Sequence, residues 1–226
     1  MRLLLIRHGQ TPGNVLGQLD TAHPGPGLTE LGERQAEALS RALANERIHA
    51  LYASTLIRTQ ITAAPLGRVH GLETEVIEGI HEIEAGALEK LTDHESHKRY
   101  LGTIFSWADG DLDRRMPAGP NGRDFFNRYD AAITKVVERA SGAADGAGDG
   151  AVAVVSHGAA IRVWAGLRAA NIEPEFARHH VLANTGIVAL DGDPDGGWNL
   201  IHWDDSPVGG LALADPTAED PTGQPA

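Results

Sequence analysis

The chain alternates short apolar runs with longer stretches in which apolar residues recur every three or four positions. "RLLLIRH" sets Leu3 to Ile6 directly ahead of Arg7 and His8, and an unbroken apolar run of that length is what a strand covered on both faces requires. "IHALYAS" and "AVAVVSH" repeat the pattern, and "TEVIEGI" is a weaker version. Between them, "TELGERQAEALSRALANE" reads as a helix, with Thr29 as N-cap and Glu30 and Glu33 in the first turn, where the helix dipole favours acids. "TLIRTQITAAPL" predicts a helix that buries Leu56, Ile57 and Ile61, and "RDFFNRYDAAITKVVERA" places Phe125, Tyr129, Ala132, Ile133 and Val136 at helical spacing. "GAAIRVWAGLRAAN" predicts a further helix, and "GIVAL" and "WNLIHW" flank "DGDPDGG" as a hairpin.

This order predicts an α/β fold, a three-layer sandwich in which a mostly parallel sheet carries helices on both faces. In such sheets ligands bind beyond the carboxyl ends of the strands, and Arg7, His8, Ser54, Ser156 and His157 all fall there. "SGAADGAGDG", residues 141–150, reads as a surface loop within one domain spanning 1–205. The stretch 206–226 holds Asp215, Glu219 and Asp220, no basic residue, and many Pro, Gly and Thr, the composition of a disordered tail.

Composition narrows the partners. A formal charge of −12 argues against coating nucleic acid or an anionic membrane, so an anionic ligand must be captured by a local cluster. No apolar stretch reaches bilayer length and no signal-peptide pattern opens the chain, which reads as cytoplasmic; an oligomer stays open. The absence of Cys removes disulfides and thiolate chemistry.

The candidate chemistry is histidine and arginine. Two strands end alike, "IRHG" and "VSHG", so if they are neighbours His8 and His157 face one pocket. Arg58 lies four residues into the helix after the second strand, near its N-terminus, and with Arg7 it makes a pair of guanidiniums with no obvious nearby carboxylate partner, a combination suited to the oxygens of a phosphate. His94, His97, His179 and His180 are the superficial candidates for a metal site, without a helical H-x-x-x-H pair or a carboxylate cluster at ligand spacing. Trp107, Phe125, Phe126, Trp164 and Trp203 read as core or pocket wall.

These residues resemble the histidine phosphatase, or phosphoglycerate mutase-like, superfamily. "RHGQTPGN", "GLTELGERQA", "STLIRTQITA", "IHEIEAGALE" and "VVSHGAAIR" match its blocks in order, over about Leu3 to Arg162. The resemblance implies a metal-independent, cofactor-free phosphatase acting on a small phosphorylated metabolite. In that reading His8 is the nucleophile; Arg7, Arg58 and His157 hold the phosphoryl oxygens; Gly9, Asn14 and Gly158 complete the binding site; and Glu82 is the proton donor, with a pKa raised by burial and by incoming phosphate. Glu84 and Glu89 compete with Glu82, which is favoured because it stands four residues before Gly86. Ile61, the arginine-free "VLGQLD", "AGPNG" and Ala159 depart from the family pattern, and the loss of an Asn at Ala159 favours hydrolysis over mutase chemistry. Lys98, Arg99, Arg114 and Arg115, in a lid between the acid block and the closing histidine, keep a mutase open, and a non-catalytic phosphate-binding protein is the remaining alternative.

Overall fold

The strands assemble into one six-stranded sheet in the order Thr74–Val76, Ile48–Ala53, Ala151–Ser156, Arg2–Arg7, Ile187–Asp193 and Gly197–Trp203. The computed structural model describes residues 1–142 and 150–223. β1 (Arg2–Arg7), β2 (Ile48–Ala53), β3 (Thr74–Val76) and β4 (Ala151–Ser156) run parallel, while β5 (Ile187–Asp193) and β6 (Gly197–Trp203) form the antiparallel hairpin at one edge. All six residues of β4 and five of six in β1 are buried, which is why both read as continuous apolar runs rather than alternating ones.

Burial on both faces follows from the helices. Leu3, Leu5, Val152 and Val154 join Phe125, Tyr129 and Trp164 in one apolar cluster, whereas Leu4, Ile6, Ala153 and Val155 join Leu39, Ala63 and Leu66 in the other. The first layer contains α4 (His94–Ala108), α5 (Gly122–Gly142) and α6 (Gly158–Arg168); the second contains α2 (Glu30–Ala42) and α3 (Ile57–His70). Short helices α1 (Pro12–Val15) and α7 (Pro174–His179) complete the set. The N-cap of α2 is Thr29, whose side chain accepts the Gly32 N–H at 3.0 Å. Trp107, Phe125, Phe126 and Trp164 are core, while Trp203 is partly buried.

Three segments depart from the sequence expectation: α3, the expected lid and the chain beyond β6. On α3, Leu56 is buried ahead of the helix, but Ile57 is 42 % exposed and Ile61 only half-buried; the inward face is Arg58, Thr59, Thr62, Ala63 and Leu66. The apolar count misplaces that face because the first turn turns polar residues toward the strand ends. The segment expected as a lid is largely α4, capped by Asp93 and anchored by buried Tyr100, Ile104, Phe105 and Trp107, with Lys98, Arg99, Arg114 and Arg115 on its exposed side and in the following turn. Of the glycine-rich loop expected at 141–150, the first two residues close α5 and residues 143–149 lie outside those described.

The chain beyond β6, marked by composition as a disordered tail, lies against the domain through Gly223. Asp220 and Thr222 are buried, and Leu182 N–H donates to Gly223 O at 3.0 Å. Among the described residues no helix is long and apolar enough to cross a membrane.

Candidate active site

Arg7 closes β1 and His8 follows it, as Ser156 closes β4 and His157 follows. The strands pair with Arg7 opposite Ser156, so both chains leave the sheet at one level, and His8 N–H donates to Ser156 O at 3.1 Å. The two imidazoles consequently meet edge to face, with ring centroids 5.2 Å apart.

His8 Nδ1 lies 2.7 Å from Gly9 O. A carbonyl can only accept, so Nδ1 carries the proton and Nε2 of the neutral ring keeps its lone pair. Burial, then the charges of Arg58 and Arg7, holds the His8 pKa well below the ordinary histidine value. The ring is therefore neutral near pH 7, the state a nucleophile needs.

Around it stand buried donors without partners. Arg58 is the second residue of α3 and donates from Nη2 to Asp20 O at 3.0 Å, while its Nε and Nη1 have no partner among the described residues. Arg7 Nε and His157 Nδ1 are likewise buried and unpartnered there. Such groups cost free energy unless a ligand satisfies them, and these are the atoms an anion would meet. Burial depresses the Arg58 pKa, with Glu82 and Asp20 opposing the shift.

Glu82 lies on the loop after β3 and is 2 % exposed. Its carboxylate accepts Ile83 N–H at 2.9 Å and, from the first turn of α6, Ala159 N–H at 3.2 Å and Ala160 N–H at 2.8 Å. Burial raises its pKa against the pull of those amides and of Arg58. The competing acids are engaged elsewhere. Burial would raise Glu84, but His81 and Arg128 hold it at about 2, and Glu89 accepts Thr21 N–H at 3.0 Å and Ala22 N–H at 3.1 Å. Of the three, only Glu82 reaches the helix that His157 caps.

The chain belongs to the histidine phosphatase superfamily. Its branch 1 profile matches residues 3–206. The chain is 38 % identical over 226 residues to a PE-PGRS family protein, PE_PGRS11, of Mycobacterium tuberculosis, covering 94 % of this chain but 38 % of that relative's length. It is 29 % identical to glucosyl-3-phosphoglycerate phosphatase of Mycolicibacterium vanbaalenii, over 91 % of this chain and 95 % of the relative. Among solved structures, a mycobacterial glucosyl-3-phosphoglycerate phosphatase complexed with VO3 superposes with a TM-score of 0.74 at 26 % identity, over 91 % of this chain and 99 % of that one.

The structure also locates the remaining residues singled out in the sequence. Asn14 is pinned through Oδ1, which accepts Thr11 N–H at 3.0 Å, and Gly158 begins α6 beside Arg7. Gly9 serves close packing: a Cβ there would stand 2.6 Å from Gly32 O. Arg7 corrects the sequence reading, for its carboxylate partner exists, Asp220 at 2.5 Å. More than two hundred residues separate the pair in sequence, which is why proximity along the chain did not show it.

Two further residues escaped assignment. Ser54 Oγ lies 2.6 Å from His157 Nε2. Arg128, on α5, donates to Gly79 O, His81 O and Glu82 O at 2.6 to 2.9 Å and to Glu84, wrapping the loop that carries Glu82. Among the described residues no group of three or more His, Asp or Glu could hold a metal ion. His97 meets Gly17 O, His179 pairs with Glu175, and His180 stacks on Phe176.

Proposed function

We propose that the protein is a metal-independent phosphatase that hydrolyses a small phosphomonoester through a phosphohistidine on His8. The observation that supports this best is the unprotonated Nε2 of a neutral, buried His8 beside four nitrogens on Arg7, Arg58 and His157 that have no partner among the described residues. Nε2 attacks phosphorus in line, so an N–P bond forms as the ester P–O bond breaks, and Glu82 gives its proton to the departing oxygen. Water then attacks the phosphohistidine with Glu82 taking its proton, which releases phosphate and restores the neutral ring. The guanidiniums and His157 Nδ1 offset charge on the equatorial oxygens as the transition state forms. The phosphatase relatives add weight to hydrolysis as the reaction class.

Hydrolysis of p-nitrophenyl phosphate tests the reading. Activity is expected to survive chelator and to fall with vanadate. Quenching during turnover should trap an acid-labile, alkali-stable phosphoenzyme that His8→Ala abolishes, with a rate loss of at least ~10³-fold. Chelator-sensitive release, or near-full turnover by His8→Ala, would overturn it; a parallel assay converting 3- to 2-phosphoglycerate is expected to show no mutase.

A further inference from the structure

The C-terminal segment reaches into the site. Gln35 Nε2 donates to Leu213 O at 2.8 Å, Gln10 Nε2 to Asp215 at 2.9 Å and Arg162 Nη1 to Thr222 O at 3.0 Å, so α2, the loop after β1 and α6 each hold it. Its last described residues, Asp220 to Gly223, are buried and include a turn. There one carboxylate joins two residues expected to bind phosphate: Oδ2 of Asp220 lies 2.5 Å from Arg7 Nη2, and Oδ1 accepts Asn14 Nδ2–H at 3.1 Å.

The rest of the Arg7 guanidinium shows what this contact does. Nη1 donates to Leu182 O at 2.7 Å and Nη2 to Thr222 Oγ1 at 3.0 Å, so both terminal nitrogens are taken up on the side of the C-terminal segment. Nε has no partner among the described residues and faces the start of α6, where a Cβ on Gly158 would sit 2.8 Å from it. A cavity of about 190 Å³ on the segment's side is lined by Arg7, Gln10, Asn184 and Asp220 but by none of His8, Arg58, Glu82 and His157. Asp220 thus lines a cavity that none of these four residues lines, and it holds Arg7 by a terminal nitrogen rather than by Nε.

We propose that Asp220 is a positioning residue for phosphate binding: it clamps the Arg7 guanidinium and Asn14, so that the C-terminal segment forms part of the active site. The proposal rests on the reading that Arg7 holds the phosphoryl group. A planar guanidinium held at two corners presents its third in one orientation, which limits the ordering left to be done when ligand arrives. The carboxylate also offsets a wholly buried positive charge that otherwise faces the charges of Arg58 and of the equally buried Arg162.

Asp220→Asn keeps the shape of the side chain and removes its charge. Calorimetric binding of inorganic phosphate and kinetics on p-nitrophenyl phosphate are expected to show Kd and KM raised about tenfold or more, with Asp220→Glu recovering part of the loss. A melting curve for each variant, with and without phosphate, separates this from a purely structural role. A lowered melting temperature with unchanged phosphate affinity would overturn the proposal, and so would tighter binding, which would make Asp220 a competitor of the ligand. If Asp220→Asn does not fold, Asp220→Glu carries the test: weakened phosphate binding at unchanged melting temperature supports the clamp, and unchanged affinity overturns it. Wild-type protein that binds phosphate but hydrolyses no ester would overturn the proposed reaction and leave the clamp testable; wild-type protein that binds no phosphate overturns both.

Discussion

Ser54 Oγ stands 2.6 Å from His157 Nε2, and this contact decides which nitrogen of that ring is left to meet a ligand. Ser54 Oγ already accepts Leu56 N–H at 3.3 Å, and Thr59 directs its own hydroxyl to Leu56 O at 2.7 Å. Ser54 Oγ lies 3.2 Å from Thr59 Oγ1 and closer, 2.6 Å, to Nε2, so the serine proton goes to Nε2, which leaves the neutral ring protonated at Nδ1, a buried atom with no partner among the described residues. Ser54→Ala is expected to lower kcat/KM about tenfold, because the ring loses its fixed tautomer while Nε2 is left buried and unpaired. Nitrogen-15 chemical shifts of His157 check the cause: the wild-type ring should show protonated Nδ1, and the variant a mixture.

The pH dependence of turnover follows from two opposed shifts. In the proposed reaction His8 must be neutral, and its pKa lies well below the ordinary value, so the acid limb should fall below about pH 6.5. Glu82 must be protonated to serve the leaving oxygen, and burial raises its pKa, so it sets the alkaline limb. Because these groups lie in one buried cluster, the limbs report the cluster rather than isolated residues. Glu82→Gln is expected to flatten the alkaline limb and to cost roughly 10² to 10⁴ in kcat for an alkyl phosphate. The loss should be smaller for p-nitrophenyl phosphate, whose leaving group departs readily without a proton. Glu84→Gln, by contrast, should leave the limb in place, since Glu84 is ionised and tied to His81 and Arg128.

How much of this the sequence disclosed depends on what each residue's neighbours are. Five buried positions in β1 and six in β4 produce unbroken apolar runs, so the strands and the histidines that follow them could be read directly. The pairing of His8 with His157 needed only that those strands be neighbours, which the "IRHG" and "VSHG" endings suggest and the parallel register provides. The inward face of α3 was misread because Arg58, Thr59 and Thr62 take inward positions that hydropathy assigns to Ile57 and Ile61. Asp220 was illegible for a different reason. Its segment buries few apolar side chains and is held by polar bonds to Arg7, Asn14, Gln10 and Gln35, which leave no periodic trace in composition.

Stability should fall on acidification before the carboxylates titrate. His8 and His157 are buried with pKa values well below the ordinary histidine value, so between that value and their folded pKa the unfolded chain binds more protons than the folded one. Stability is thus fully present above about pH 6.5 and lost as pH falls toward the folded values, with a slope approaching ~1.4 kcal/mol per pH unit for each histidine. Glu82, raised, acts in the opposite sense: the folded state holds its proton longer, so it removes stability as pH rises through its folded pKa. One raised carboxylate opposes the lowered histidines His8, His157 and His23, so the net slope stays positive with pH. Urea unfolding at a series of pH values checks this, and the double variant His8→Gln, His157→Gln should flatten the curve below about pH 6.5.

Arg128 offers the clearest separation of loop placement from chemistry. Three backbone carbonyls, Gly79 O, His81 O and Glu82 O, and the Glu84 carboxylate all accept from it, so a single guanidinium closes the loop on which Glu82 stands. It also lies over the Phe125 ring, with its central carbon 5.1 Å from the centroid, which fixes the fork from the α5 side. Lysine carries the same charge but cannot reach several carbonyls from one planar group. Arg128→Lys is therefore expected to lower kcat for an alkyl phosphate about tenfold or more while changing phosphate affinity little, because Arg7, Arg58 and His157 are not among its partners. The alkaline limb should move as Glu82 loses its fixed distance from the amides of Ala159 and Ala160. Equal losses in kcat and phosphate affinity would mean that the substitution disturbs the whole site, and the loop would not be the part that Arg128 holds.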